Sequence, residues 1–407
     1  MTPALAFDAG VPHRDRLLDC EEMQDHLAGI RGSATRDLPS IVRVKYQPGR
    51  SLRVVYRFST DRRAPDIVSC RTFPAKTMFW RFPADRRLQR IDALFRPAEG
   101  LASCFGRAWT RSQLAAYSPE KSAVVACLTI EGDTLGYAKQ YASPADALNA
   151  EHTQRYVASS LDDAGPLRVP RVLGRNAAAH IVFSDMAPGT PVTDLVGAEF
   201  LHGAGVLGAA LAQLHGVPIP SHLMSGDVRP SAALSDAASV IGRVQPWLAE
   251  SAHDVAKILR STCPSISQPV LLHGDVHLKN AFIDNEAISL IDLDQAAFGS
   301  PAVDIGSVVA LFRSRAAAGI CTRDEAETVI SQFLSGYSRV RTLPSDSEIR
   351  WHTAAALVTE RAVRAISRMR VALLQRLDVL LYEAGRLARP ARPARPARNA
   401  RQRGETR

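Results

Sequence analysis

The chain has 407 residues, 46% hydrophobic and 22% charged, a composition that fits a soluble globular protein of two or three domains. Its net charge is +9, spread unevenly: residues 1–190 carry 26 Lys and Arg against 20 Asp and Glu, residues 191–390 carry 18 against 20, and residues 391–407 carry 6 against 1. No domain interleaves basic and aromatic residues as a specific nucleic-acid platform requires, and no run approaches the ~18 apolar residues of a membrane span.

Met1 to Asp25 is too acidic and too mixed for a signal peptide. The cysteines at 20, 70, 104, 127, 263 and 321 form no C-x-x-C pair and no cluster with His, which argues against a zinc site or a disulfide framework and predicts a reducing cytoplasm.

Asp19 to Leu27 has the composition of a short helix, and no chemistry is evident in the first 40 residues. Ile41 to Tyr56 reads as two strands around the turn Pro48-Gly49, and Ile67 to Phe73 reads as a third that ends at Pro74. The pattern returns. Tyr117-Ser118-Pro119-Glu120-Lys121-Ser122 echoes Tyr46-Gln47-Pro48-Gly49-Arg50-Ser51, and Gly136 to Tyr141 echoes Val68 to Phe73, with Lys139 at the place of Arg71. Only the second copy is followed by a helix, Pro144 to Ser159, which opens on proline and carries Glu151.

His180 to Gly189 is a buried-type strand running into a Pro-Gly turn. Gly205 to Leu214 has the spacing of a buried helix and ends at His215, a helix-end histidine expected to be structural. Ala232 to Cys263 supplies further helix, with Trp247 expected as a core anchor. Asp304 to Phe312 is another helix, and Ile349 to Leu387 is a long amphipathic stretch whose arginines (361, 364, 368, 370 and 376) read mostly as a solvated face. After Arg389 the unit Pro-Ala-Arg repeats three times, a composition that cannot bury a core.

The chemistry concentrates in His273-Gly274-Asp275-Val276-His277-Leu278-Lys279-Asn280, followed by Ile291-Asp292-Leu293-Asp294. Asn280 to Ile283 and Ala287 to Ile291 are apolar β-type runs around the turn residues Asp284-Asn285-Glu286. This is the spacing of a kinase catalytic loop. One carboxylate (Asp275) accepts a hydroxyl proton, an amide oxygen five residues on (Asn280) faces the same cleft, and a hairpin brings in a second carboxylate (Asp292) to complete a Mg²⁺ site. Asp294 reads as either a further metal contact or a brace, while His273 and Asp304 read as residues that orient the loop.

With Gly274 in place of the kinase arginine and Gly299-Ser300-Pro301-Ala302-Val303-Asp304 following, the block resembles the aminoglycoside phosphotransferase and choline kinase family. The resemblance covers about residues 110–320. It implies an α+β, bilobal, protein kinase-like fold with a β-rich N-lobe and a helical C-lobe, plus an N-terminal β-containing extension. The corresponding division is 1–100 extension, 101–190 nucleotide-binding N-lobe and hinge, 191–390 helical C-lobe, and 391–407 tail.

It further implies ATP or GTP with Mg²⁺ as cofactors. Lys139 would anchor the phosphates with Glu151 as its partner, and Phe183 to Met186 would form the hinge that meets the base, Met186 packing on it. Asp275 would be catalytic, and Asn280 and Asp292 would hold the metal. The glycine-rich loop of protein kinases is absent, so Ser118 to Ser122 is the candidate phosphate cover.

The expected activity is transfer of the γ-phosphate to a hydroxyl of a small molecule, with no specific nucleic-acid partner and no membrane partner. The alternative from another class is a catalytically inactive nucleotide-binding scaffold. Protein kinase activity fits poorly, because Phe298-Gly299-Ser300-Pro301 runs almost directly into the next helix with no room for an activation loop. The extension is expected to pack beside the N-lobe and extend its sheet.

Overall fold

The computed structural model describes residues 5–32, 37–59, 61, 63, 65–96, 105, 107–161, 165–220, 223, 230–265 and 268–389. The Pro-Ala-Arg repeats lie outside the described residues.

Two short helices come first, α1 (Arg14–Leu18) and α2 (Cys20–Arg31). Asp19 caps α2 by accepting from the Glu21 and Glu22 amides, so the predicted helix is there and runs a turn longer than expected. A four-stranded antiparallel sheet follows, made of β1 (Ser40–Gln47), β2 (Ser51–Arg57), β3 (Ile67–Phe73) and β4 (Lys76–Arg81).

The second sheet has five strands. They are β5 (Arg111–Ser118), β6 (Ser122–Leu128), β7 (Thr134–Tyr141), β9 (Val172–Asn176) and β10 (Ile181–Ser184), in the order β5-β6-β7-β10-β9. Helix α3 (Pro144–Ser159) follows β7, with Ser143 as its cap, and the short strand β8 (Leu167–Arg168) precedes β9.

The first three strands of both sheets share one register. Tyr46 faces Leu52 and Lys45 faces Arg53, just as Tyr117 faces Ala123 and Ala116 faces Val124. A bulge interrupts each first strand, between Ile41 and Arg43 and between Leu114 and Ala116. On the third strands, Arg71 faces Arg53 and Lys139 faces Val124, so the two cations hold the same station.

The first sheet does not extend the second, as the sequence had led us to expect. It is a separate layer, buried on one face and in part on the other. Val44, Tyr46, Leu52, Val54 and Tyr56 pack on α1, α2 and the C-terminal helices, while Val55 and Ile67 join the core of the second sheet with Trp109, Leu114 and Tyr117. Each such fully buried side chain contributes about 1.5–3 kcal/mol.

The remainder is mostly helical: β11 (Thr190–Pro191), α4 (Gly197–Leu214), α5 (Pro230–Val244), α6 (Ala249–Ser261), β12 (Val270–Leu272), β13 (Ala281–Asp284), β14 (Ala287–Leu290), β15 (Ala297–Gly299), α7 (Ala302–Ala317), α8 (Arg323–Val340), α9 (Asp346–Ala356), α10 (Val363–Ser367), α11 (Val371–Leu374) and α12 (Leu377–Ala388). A π-helical turn, Leu357–Ala362, joins α9 to α10, so the predicted single amphipathic stretch is broken into several pieces. Leu207 and Leu211 of α4, Phe312 of α7, and Phe333 and Tyr337 of α8 build a core against which Leu271, Ile288 and Leu290 set the small strands.

Trp247 is not the anchor of its region. It is 69% exposed, and its neighbour Leu248 is buried instead. Among the described residues no helix is long and apolar enough to cross a membrane. The architecture is mixed α+β, β-rich in its N-terminal part and helical in its C-terminal part.

Candidate functional site

The hairpin β13–β14 pairs Ile283 with Ile288 around a turn in which Asn285 takes φ 55°, a left-handed conformation that asparagine tolerates. It brings Asn280, just before β13, and Asp292, just after β14, to the same open end of the hairpin, where the Ile291 amide donates to the Asn280 carbonyl. Asp292 itself has φ 67°, and this left-handed turn carries its carboxylate into the cleft between the sheets and the helical part.

Gly274, between His273 and Asp275, has φ 75°, and a Cβ there would overlap the Gln295 carbonyl oxygen. Glycine is therefore required at this position by both its backbone angle and its close neighbour.

The loop is held from beneath by Asp304, the third residue of α7, which is 1% exposed. Its Oδ2 accepts from the His273 amide at 2.7 Å and its Oδ1 from the Gly274 amide at 3.0 Å. His215 Nε2 lies 3.2 Å from Oδ2, and its Nδ1 lies 2.9 Å from the Tyr337 hydroxyl. Burial works to raise the Asp304 carboxyl, but the hydrogen bonds and charge of His215, together with the His273 contacts, hold it below its ordinary value. The helix-end histidine and Asp304 thus form one brace under the loop.

Across the cleft, Lys139 Nζ donates to Asp292 Oδ1 at 2.7 Å and to Asp294 Oδ2 at 2.8 Å. The Tyr141 hydroxyl donates to Asp294 Oδ1 at 2.9 Å. Burial opposes the Lys139 charge, yet Tyr141, Asp294 and Asp292 raise its pKa. Burial likewise pushes the Asp292 carboxyl up, and the Lys139 charge and hydrogen bond lower it by more.

These residues line a cavity of about 360 Å³ together with Asn280, Lys279 and the apolar side chains of Val124, Val182, Phe282 and Leu290. A cavity of this size with few convergent polar groups has the form of a small-molecule site.

Asp275 stands beside this cavity. Arg364 Nη2 donates to its Oδ1 at 2.6 Å, and His277 Nε2 lies 3.2 Å from the same oxygen and against the other Arg364 nitrogen. Both contacts fall on Oδ1, so among the described residues Oδ2 has no partner. Burial raises the carboxyl, but His277 and Arg364 outweigh it and hold Asp275 well below the usual carboxylate range. Asn280 Nδ2 donates to the Asp275 carbonyl at 3.3 Å, which leaves Asn280 Oδ1 unbonded among the described residues.

A profile of the phosphotransferase enzyme family matches residues 137–343, a segment that contains every residue of this constellation from Lys139 to Asp304. The chain belongs to that family.

Several solved phosphotransferase structures resemble the chain at low identity. The apoenzyme of macrolide 2'-phosphotransferase MphH from Brachybacterium faecium shares 19% identity over 74% of this chain and 98% of its own, with a TM-score of 0.46. A thermostable mutant of aminoglycoside phosphotransferase APH(4)-Ia, in its apo form, shares 17% over 71% and 97%, with a TM-score of 0.48. Spectinomycin phosphotransferase APH(9)-Ia, in complex with ADP and spectinomycin, shares 14% over 71% and 96%, with a TM-score of 0.45. No curated protein sequence matches the chain.

Three residues expected to serve the site, Glu151, Phe183 and Met186, do not line the cavity. Glu151 does not meet Lys139: its Oε1 takes Arg155 Nε at 3.1 Å and its Oε2 takes Arg175 Nε at 2.9 Å. The carboxylates of Asp292 and Asp294 occupy Lys139 instead. Phe183 does not offer a hinge contact. It is fully buried with its ring against Phe105 and Trp109, and its main chain lies mid-strand between Ala138 and Gly174.

Ser184, Asp185 and Ala187 line the cavity at this edge, whereas Met186 is 48% exposed and lines a neighbouring recess with Leu161 and Pro188. The turn at Ser118 to Ser122 does not line the cavity either; the strands behind it do, through Ala115, Ala116 and Val124.

Sequence reasoning missed Arg364, which it placed on a solvated face. The π-helical turn explains the error. Glu360 accepts from the Ser307 hydroxyl at 2.8 Å, and buried Arg361 donates to Ser307 Oγ at 2.9 Å, fixing the turn to α7. The wider π winding rotates the following residues off the periodicity of a regular helix and brings Arg364 onto Asp275. A run of arginines preceded directly by one acid, Glu360, was the available signal.

Proposed function

We propose that the protein transfers the γ-phosphate of ATP to a hydroxyl group of a small molecule. The reading is supported above all by one observation: Lys139, Asn280 and Asp292 line a single cavity, with Asp275 at its side and one carboxylate oxygen unused.

Asp275 Oδ2 accepts the hydrogen bond of the acceptor hydroxyl, orients its oxygen toward the γ-phosphorus, and takes the proton as the new bond forms. Because Arg364 and His277 keep Asp275 ionised, its work is mainly positioning, with proton transfer late. Lys139 leaves its carboxylates to lie along the phosphates, and the apolar walls at Val124, Val182 and Leu290 receive the base.

The donor set fits Mg²⁺. Asn280 Oδ1 and the Asp292 carboxylate, hard oxygen donors on one cavity wall, would hold the ion. Bound there, the ion supplies charge neutralisation across the phosphates.

Calorimetry of ATP binding with and without Mg²⁺, on wild type and Asp292→Ala, tests this. Binding that weakens when either the metal or the carboxylate is removed is expected. Binding indifferent to both favours a nucleotide-sensing scaffold, and absence of binding by ATP and GTP refutes the reading.

A further inference from the structure

The second cluster of chemistry in the molecule lies on the N-terminal sheet. Along β1, Val44 and Tyr46 are buried in the core, so Arg43 and Lys45 share the opposite face. The cross-strand partners Lys45, Arg53 and Arg71 form a row of three cations over β1, β2 and β3. Like charges placed directly opposite one another destabilise a sheet unless something neutralises them.

Glu120 neutralises one end. Its carboxylate, 4% exposed, receives Arg53 and, at 2.7 Å, Arg71, with Arg86 at 4.0 Å. The other end has no such partner. The side chains of Arg43, Lys45, Arg368 and Lys121, the last at the tip of the β5–β6 hairpin, make no ion pair or hydrogen bond with a described residue.

The cations lie close enough to oppose one another. Burial, Arg368 and Arg53 bring the Arg43 guanidinium down to about 10, and burial with Arg53, Lys121, Arg368 and Arg43 lowers Lys45. Arg368 follows Arg364 by four residues, at the end of a helix that packs on β1, and the carboxylate whose charge acts on it is Asp275. The unmatched positive charge therefore adjoins the residue expected to receive the acceptor hydroxyl. It is supplied by β1 and by the end of α10, both outside the family segment at 137–343.

We propose that the acceptor carries a phosphate group of its own, seated on Arg43, Lys45 and Arg368, while its hydroxyl meets Asp275. A dianion supplies the charge that three unpaired cations lack, and arginine forks suit its geometry. A cationic acceptor would meet repulsion on the same surface. The proposal rests on the phosphotransferase reading for the role of Asp275, but the binding it predicts is measurable without turnover.

The test is calorimetric titration of glycerol 3-phosphate, and of glycerol as the uncharged control, into the full chain saturated with Mg²⁺ and a non-hydrolysable ATP analogue. Glycerol 3-phosphate is expected to bind and glycerol not. Lys45→Ala and Arg368→Ala, both at exposed positions, should each weaken binding about tenfold, roughly the worth of one charge-assisted contact, and Lys45→Arg should restore it.

Binding unchanged in both variants, or no binding at all, overturns the proposal. So does competition between glycerol 3-phosphate and the nucleotide analogue, which would assign the cations to the nucleotide's own phosphates. If the analogue itself fails to bind, the phosphotransferase reading fails, while loss of phosphate binding in the variants would still establish the anion site.

Discussion

The two β-meanders differ less in their backbones than in what stands opposite them. In both, a bulged first strand, a tight turn at residues 47–51 or 118–122, and a third strand place a cation at one station, Arg71 in the first and Lys139 in the second. Lys139 looks across a cavity at Asp292 and Asp294, while Arg71 looks at Glu120, on the turn of the other meander. The same local pattern therefore yields a cavity-lining cation, the proposed phosphate anchor, in one place and a structural clasp in the other. Strand register is set by side-chain alternation and turn geometry, but a side chain's chemistry is set by the surface it faces.

The comparison is broken most directly at the two cations. Lys139→Met should reduce phosphoryl transfer by about 10²–10³-fold, as loss of a preorganised charge at a reacting group does, with little change in thermal stability. Arg71→Met should alter turnover less than about threefold, measured as ADP release under the same conditions. Equal losses in the two variants would mean that both meanders serve the reaction directly.

A smaller effect is expected at the clasp. Glu120→Gln leaves Arg53 and Arg71 facing each other without their shared carboxylate and should cost about 2 kcal/mol in chemical denaturation. High salt should recover part of it, since these arginines are partly exposed.

The smallest change is at the seam between the sheets. Trp80 Nε1 donates to the Tyr117 hydroxyl at 3.1 Å, and the hydroxyl donates to Asp85 Oδ2 at 2.7 Å. Trp80→Phe removes the first bond and should cost about 1 kcal/mol. A larger loss, accompanied by weaker nucleotide binding, would show that the first sheet steers the second rather than merely resting on it.

What was legible in the sequence was local. The hairpin from Asn280 to Ile291, the helix opening at Pro144 and the shared register of the two meanders are set within a few residues by turn chemistry, capping and alternation. The ordered set Asp275, Asn280 and Asp292 was legible because one loop and one hairpin span it. Partners that meet only in the folded chain were not.

Glu151 lies on the expected helix, but Arg175 on a neighbouring strand claims it. Arg364 lies some ninety residues beyond Asp275 and depends on a π turn that no periodicity announces. Trp247 failed for the opposite reason. Its hydrophobicity was real, but the short turn at Pro246–Leu248 points Leu248 inward in its stead.

The Lys139 bridge to Asp292 and Asp294 bears on how the cleft is loaded. The two carboxylates already have a counter-ion, built into the chain and tethered at no translational cost. On the proposed function, a divalent cation that arrives alone would compete with that ammonium for Asp292 and leave it only Asp294. A cation that arrives with a polyphosphate brings the replacement anion with it. On that function the bridge would disfavour free metal and favour entry of the metal–nucleotide complex as one body.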